Sequence, residues 1–170
     1  MVQIGNFHIG QAETIKPPEV DSGEAFLMWD YLVSRYGNIQ LTQLLQNYAH
    51  DPDLKLLLKS GLTLMENQVN KVETELNRVQ IPLPNRPPKT VSTDIGSEVW
   101  SDQFIFSLIF TDIQGFLEQH IRVIRSITTN DTLRKMFISF LYQEIDVFDE
   151  LCKYSKLKGW LASPPMLKLH

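Results

Sequence analysis

Apolar residues recur at intervals near 3.6 residues along most of this chain, and polar or proline-marked breaks separate the repeats. This spacing is typical of amphipathic helices. The helical segments fall into two successive pairs. The later helix of the first pair begins at Asp51-Pro52-Asp53-Leu54, and that of the second begins 79 residues further on, at Asn130-Asp131-Thr132-Leu133. We therefore predict an all-α fold in which two helix pairs form one four-helix bundle.

The first helix is predicted to begin after Ser22, a good N-cap residue. Phe26, Trp29, Leu32, Val33 and Tyr36 then follow a helical period, and Trp29 is interpreted as a core or interface aromatic. Gly37-Asn38 interrupts this period, so we expect either a kink or two shorter helices there.

The second helix is predicted to begin with Asp51 as its N-cap and Pro52 at its first position, where the missing N–H costs nothing. Its buried face comprises Leu54, Leu58, Met65, Val72, Leu76 and Val79. Gly61 falls on the same face. Since glycine weakens a helix, its presence there suggests either the close approach of a bulky neighbour or a cavity that could hold an apolar ligand.

Prolines and short polar residues mark the segments outside the helices. Residues 80–97 contain four prolines, which excludes a helix and predicts one long crossover loop. Such a crossover in mid-chain recurs in ferritin-like bundles. Residues 1–21 are predicted to form an extended N-terminal arm without a helix, residues 22–165 a single bundle domain, and residues 166–170 a C-terminal tail.

The third helix, with Ser97 as its predicted N-cap, and the fourth each place polar groups on an otherwise apolar face. The predicted face of the third comprises Ile105, Leu108, Asp112, Phe116, His120, Val123 and Ile127. The face of the fourth comprises Leu133, Phe137, Phe140, Glu144, Val147 and Leu151. Trp160 follows directly and is predicted to fold back as an anchor. A buried carboxylate needs a partner, a proton or a metal, so Asp112 and Glu144 are candidate functional residues.

Composition narrows the functional classes. The formal net charge of −4 and the lack of a basic run argue against a nucleic-acid-binding protein. Cys152 is the sole cysteine of the sequence, which excludes an intrachain disulfide. The first ten residues lack a secretory pattern, and the most apolar window, residues 104–110, is too short to span a bilayer. We therefore expect cytoplasmic synthesis and no transmembrane segment.

The ligand pattern of a di-iron bundle is incomplete in this chain. Such bundles use one Glu from each of two helices and a Glu-x-x-His pair from each of the other two. Here Val69 follows Glu66 at the histidine position, and Val147 follows Glu144. Valine cannot bind a metal, so a complete symmetric di-iron site is absent. The sequence also contains no phosphate loop, nucleophile elbow or Cys/His metal spacing, and we therefore predict no catalytic or cofactor-binding residue and no enzyme activity.

A partial metal site is the alternative. Glu66, Asp112, His120 and Glu144 could supply mixed oxygen and nitrogen ligands for iron, manganese or zinc. The same side chains could equally form hydrogen bonds across the core, since polar groups in bundles often determine register instead of chemistry. Their arrangement in the folded chain has to decide between the two interpretations.

Two segments carry a family resemblance: residues 51–88, which end in the Pro-rich run Ile-Pro-Leu-Pro-Asn-Arg-Pro-Pro, and residues 130–165, which contain Lys-Gly-Trp-Leu and then Pro164-Pro165. Together they resemble the coat-F-like proteins of spore-forming bacilli and a related family of spore coat proteins without an assigned activity. The resemblance covers residues 22–165. It implies a ferritin-like bundle, an association with the spore coat and other coat proteins as partners, but no catalytic residues.

The leading hypothesis is therefore a non-enzymatic structural or interaction protein of the spore coat. A metal-binding bundle with a degenerate carboxylate and histidine site is the second hypothesis, and a carrier of an apolar ligand beside Gly61 is the third. Bundles of this kind frequently pair, so a homodimer is a further expectation.

Overall fold

The computed structural model describes residues 2–4, 7–9, 19–88, 90–91 and 100–161. Within these ranges the chain forms two short strands followed by four long helices. They are β1 (Val2–Ile4), β2 (Phe7–Ile9), α1 (Ser22–Tyr48), α2 (Pro52–Arg78), α3 (Asp102–Ser126) and α4 (Asp131–Lys158). Helix α1 packs along α2, α3 packs along α4, and α1 also contacts α3. The predicted all-α bundle built from two helix pairs is confirmed.

The two strands lie in the predicted N-terminal arm. They pair antiparallel, with Val2 opposite Ile9 and Ile4 opposite Phe7. The prediction of an extended arm without a helix did not anticipate this pairing. The rest of the arm before residue 19, residues 89 and 92–97 of the predicted crossover loop, and the predicted tail at 166–170 lie outside the described residues.

The two helix pairs repeat their local chemistry as the 79-residue spacing predicts. The Asp51 side chain accepts hydrogen bonds from the backbone N–H groups of Asp53 and Leu54 at the start of α2. At the start of α4 the Asn130 side chain accepts from Leu133 N–H. Each cap satisfies backbone donors that the first helical turn leaves without a partner.

Two other predicted caps need correction. Helix α1 is capped by Asp21, one residue before the predicted Ser22, because Asp21 and Glu24 form a reciprocal capping box. Helix α3 is capped by Ser101, whose hydroxyl accepts from the backbone N–H of Phe104. The predicted cap, Ser97, lies outside the described residues.

Helix α1 is continuous from Ser22 to Tyr48, so the predicted break at Gly37-Asn38 is wrong. Gly37 lies on the exposed side of α1, while Asn38 and Ile39 are buried on the opposite side. One exposed glycine lowers the stability of a helix by only about 1 kcal/mol. Burial of the neighbouring residues in the bundle is enough to keep the helix intact.

The periodic apolar residues of α1 do not all face the core. Phe26, Trp29 and Val33 are exposed by 63%, 39% and 43%. The buried residues instead include Met28, Tyr31, Leu32, Arg35 and Tyr36. Leu32 and Tyr36 are buried, but the orientation of α1 about its axis also places an arginine in the core and leaves three apolar side chains facing outward.

The predicted buried faces of α2, α3 and α4 are confirmed in most positions. Val79, Leu108, Asp112 and Val147 are half-buried, and the other predicted core residues of these helices are buried. The core divides into two apolar clusters, one around Tyr31 and Phe140 and the other around Phe106. Trp160 folds back as predicted and packs against Phe106 and Tyr154 in the second cluster.

Candidate functional site

A buried ion pair joins α1 to α4 inside the bundle. Arg35 Nη2 donates to Glu144 Oε2 across 2.5 Å, and the two residues are 1% and 5% exposed. The Arg35 guanidinium also lies 3.7 Å from the centroid of the Phe116 ring. Burial lowers the pKa of Arg35, but Tyr31 and Glu144 outweigh it and hold that pKa above its usual value. Arg35 is therefore a permanent positive charge within the core.

Tyr31 connects this ion pair to the buried amide of Gln68 and, through it, to the half-buried amide of Gln143. Its hydroxyl accepts from Arg35 Nε at 3.0 Å and donates to Gln68 Oε1 at 2.8 Å. Gln68 Nε2 then donates to Gln143 Oε1 at 3.2 Å. Burial raises the pKa of Tyr31 to about 12, so its hydroxyl keeps its proton. The result is a hydrogen-bonded network that links α1, α2 and α4.

His120 lies beside this network as a neutral ring. Its Nδ1 lies 2.8 Å from the Phe116 carbonyl oxygen, which can only accept, so Nδ1 carries the proton. Its Nε2 lies 3.4 Å from the Tyr31 hydroxyl, whose single proton is closer to Gln68. Burial and the positive charge of Arg35 lower the pKa of His120 to about 4. His120 therefore acts as an uncharged core residue at neutral pH.

Asp112 on α3 lies at the edge of the same region. Its carboxylate accepts a hydrogen bond from Asn38 and interacts electrostatically with both Arg35 and Glu144. Burial raises the pKa of Asp112, while the Asn38 hydrogen bond and the Arg35 charge oppose that increase. Three of the four predicted candidates, Asp112, His120 and Glu144, thus surround Arg35.

A pocket connects this polar centre to the surface. All four helices line it, with Arg35, Asn38, Asp112 and Glu144 at its polar end. Gly61 lines the pocket on α2, where an added Cβ would meet no atom within 4 Å. The cavity predicted as one possibility beside Gly61 is therefore present, with a volume of about 60 Å³.

Residues 13–170 match the model of a family described as "Protein of unknown function (DUF3231)". The chain belongs to the DUF3231 family. It is also 24% identical over 149 residues to a protein of Bacillus subtilis (strain 168) described as "Uncharacterized protein YvdQ". That match covers 85% of this chain and 86% of YvdQ.

Solved structures resemble this DUF3231 chain throughout the bundle. A Bacillus halodurans protein described as "a putative spore coat protein" has a TM-score of 0.81 and 26% identity, over 87% of this chain and 95% of that one. A two-domain Anabaena variabilis protein with a ferritin-like domain has a TM-score of 0.63 and 14% identity, over 86% of this chain and 40% of that one. The predicted ferritin-like fold and the resemblance to spore coat proteins are both confirmed.

The residues present do not fit the di-metal centre that a ferritin-like fold can hold. Glu66 is exposed and lines a separate surface pocket with Arg86 and Pro88, away from Glu144. Glu144 already forms an ion pair with the guanidinium of Arg35. A metal ion bound to Glu144 would be repelled by this neighbouring positive charge. Among the described residues, no group of three or more His, Cys, Asp or Glu side chains is arranged to hold a metal ion.

Sequence reasoning for this DUF3231 chain missed Arg35, Tyr31 and Gln68, although one signal was available. Tyr31, Arg35, Asn38 and Thr42 follow one another at helical intervals and all four are buried on α1. A polar stripe at that spacing beside an apolar one is ordinarily the solvent-facing side of an amphipathic helix, so this signal does not by itself indicate burial. It was overlooked because Phe26, Trp29 and Val33 form an equally periodic apolar stripe on the other side of the helix.

The described helices of this DUF3231 chain include none that is long and apolar enough to cross a membrane. This agrees with the expectation drawn from residues 104–110.

Proposed function

We propose that this chain is a non-enzymatic structural protein of the spore coat, which binds other coat proteins through the outer faces of its helices. Its likeness to the Bacillus halodurans protein described as "a putative spore coat protein" supports an association with the spore coat. The observation that carries the proposal is the orientation of α1 about its own axis, which places bulky apolar side chains on the outside of the bundle.

Those side chains form an outer stripe, which we define as Phe26, Trp29 and Val33. They lie at positions i, i+3 and i+7 of α1 and therefore on one face, and the least exposed of them is 39% exposed. Tyr142 and Ile145 add exposed apolar area on α4. A row of exposed bulky apolar side chains on one helix face is typical of protein–protein contact sites.

The polar centre supports a structural role for the interior. Arg35 and Glu144 neutralise each other, Tyr31 and Gln68 use their hydrogen bonds within the network, and His120 is neutral. A general base or nucleophile needs a reacting proton or atom within its reach and a suitable pKa. The arrangement is instead typical of a network that determines helix register.

The test is localisation of a fluorescent fusion during sporulation of a Bacillus host. We expect the wild-type fusion to form a ring around the forespore and to co-extract with coat proteins. Phe26→Ser/Val33→Ser should remain folded, as judged by circular dichroism, but stay dispersed in the mother cell. Leu56→Ser is the matched control, because Leu56 is an exposed apolar residue of α2 outside the outer stripe, and it should localise normally.

Two results would contradict the proposal: a wild-type fusion that never reaches the coat, or an outer-stripe variant that localises as well as the wild type. Light scattering of the purified chain separates self-association from binding to other coat proteins, since a homodimer held by the outer stripe would dissociate in the double variant.

Turnover of O₂ or peroxide by the purified chain after addition of iron or manganese would overturn its non-enzymatic character.

A further inference from the structure

We propose that the pocket beside Gly61 binds a small aliphatic amine, with its alkyl chain against the apolar wall and its ammonium group at the Asp112 end. This site is independent of the outer stripe, and it extends beyond an assembly role because it gives the bundle a small-molecule ligand.

The wall of the pocket is suited to an alkyl chain. It is formed by aliphatic side chains from three helices, namely Leu54, Leu57, Leu58, Leu64, Met65, Ile109, Ile113, Val147 and Leu151. Ser60 on α2 and Glu150 on α4 are its exposed lining residues, so its mouth lies between these two helices. Mostly apolar walls with a few convergent polar groups are typical of small-molecule sites.

The charges at the polar end of the pocket favour a ligand with a positively charged head group. Arg35 is paired with Glu144, so these two side chains cancel. The carboxylate of Asp112 remains in excess and has Asn38 as a hydrogen-bond donor, and Glu150 adds negative charge at the mouth. A cationic head is attracted to this surplus, whereas a carboxylate ligand would be repelled.

Gly61 keeps the pocket open. A Cβ added at Gly61 would meet no atom within 4 Å, so the packing of neighbouring atoms does not require a glycine at this position. A larger side chain there would extend into the pocket. The volume of about 60 Å³ is smaller than the cavity of about 150 Å³ that holds benzene in an engineered protein. The ligand is therefore slim and short, or extends through the mouth.

The experiment compares three probes of equal length, n-butylamine, n-butanol and butyrate, by amide chemical-shift titration of the full chain at neutral pH. We expect n-butylamine to bind most tightly and butyrate not to bind. Asp112→Asn should weaken n-butylamine about tenfold or more, since a charged hydrogen bond is lost, and leave n-butanol nearly unchanged.

Gly61→Leu should abolish binding of both n-butylamine and n-butanol by filling the pocket. Gly37→Leu is its matched control, because Gly37 is also a helical glycine with open space around it but lies on the exposed face of α1. The proposal is overturned if butyrate binds better than n-butylamine, if Gly61→Leu leaves binding intact, or if none of the probes binds. None of these results depends on coat localisation, so they leave the proposed assembly role separately testable.

Discussion

The guanidinium of Arg35 and the carboxylate of Glu144 meet inside the bundle at 2.5 Å, although 109 residues separate them in the chain. Both are nearly excluded from water. Two charges in such a place are tolerated only as a pair, because each alone would lose its hydration without compensation. This pair ties the first helix to the last, and it also fixes the polar end of the pocket beside Gly61.

Removal of one member of the pair should be much more harmful than removal of both. Glu144→Gln leaves the Arg35 charge buried without its counter-ion, and we expect the free energy of unfolding to fall by about 3 kcal/mol or more. Arg35→Met/Glu144→Leu replaces both charges with apolar groups and should recover most of that loss. Urea denaturation of the single and double variants provides the measurement.

Glu150→Gln is the matched control for the ion pair, because Glu150 is an exposed carboxylate of the same helix. Its effect should stay within about 0.5 kcal/mol. A loss below about 1 kcal/mol for Glu144→Gln would show that the Arg35 charge does not depend on Glu144.

His120 should make the stability of the fold depend on pH. Its pKa is about 4 in the folded chain, compared with an ordinary value of 6.5. Above pH 6.5 the ring is neutral in both states and its contribution is fully present. As the pH falls from 6.5 to 4, the unfolded chain takes up a proton that the folded chain does not, so the free energy of unfolding declines by about 3 kcal/mol.

The measurement is a series of urea midpoints between pH 7.5 and pH 4, together with imidazole NMR titration of the folded chain. In His120→Gln this part of the pH dependence should disappear. His50→Gln should retain it, because His50 is exposed at the turn between α1 and α2. An imidazole of His120 that titrates near its ordinary pKa would refute the prediction.

Replacing three glycines by alanine should change the free energy of unfolding in opposite directions, depending on the position. Gly61 and Gly37 lie within helices with open space around the position of a Cβ, so Gly61→Ala and Gly37→Ala should each raise the free energy of unfolding by up to about 1 kcal/mol. Gly159 has a φ of 70° at the end of α4, so Gly159→Ala should lower it by about 1 kcal/mol. Thermal and urea unfolding test both signs, and a stabilising Gly159→Ala would contradict the left-handed cap.

The two equivalent helix caps should both matter. Asn130→Ala removes the acceptor for Leu133 N–H and should lower the free energy of unfolding by about 1 kcal/mol. Asp51→Ala should also destabilise the fold, since Asp51 additionally accepts from Lys158 Nζ and Tyr154 Oη. Asp51→Asn retains a capping side chain without the charge and should be milder than Asp51→Ala. Equal stability of all three variants and the wild type, measured by urea denaturation, would rule out the capping roles.

The sequence by itself determined the number and order of the helices, and it located Asp51 and Asn130 at the starts of two of them. These features depend on hydrogen bonds and backbone angles within a few residues, so local chemistry is sufficient to predict them. It also identified Asp112, His120 and Glu144 as polar residues on apolar faces, because each face has a clear helical period.

Tertiary structure alone decided how α1 is turned and what the polar residues do. Two stripes of α1 have a helical period, and the one with Arg35 is buried together with Met28 and Leu32, while Glu144 on α4 supplies the counter-ion that makes the burial of Arg35 tolerable. That partner lies too far along the chain for periodicity to reveal it. The same pairing changes a candidate metal ligand into the partner of an arginine, and it leaves a pocket beside Gly61 that only the packing of four helices could enclose.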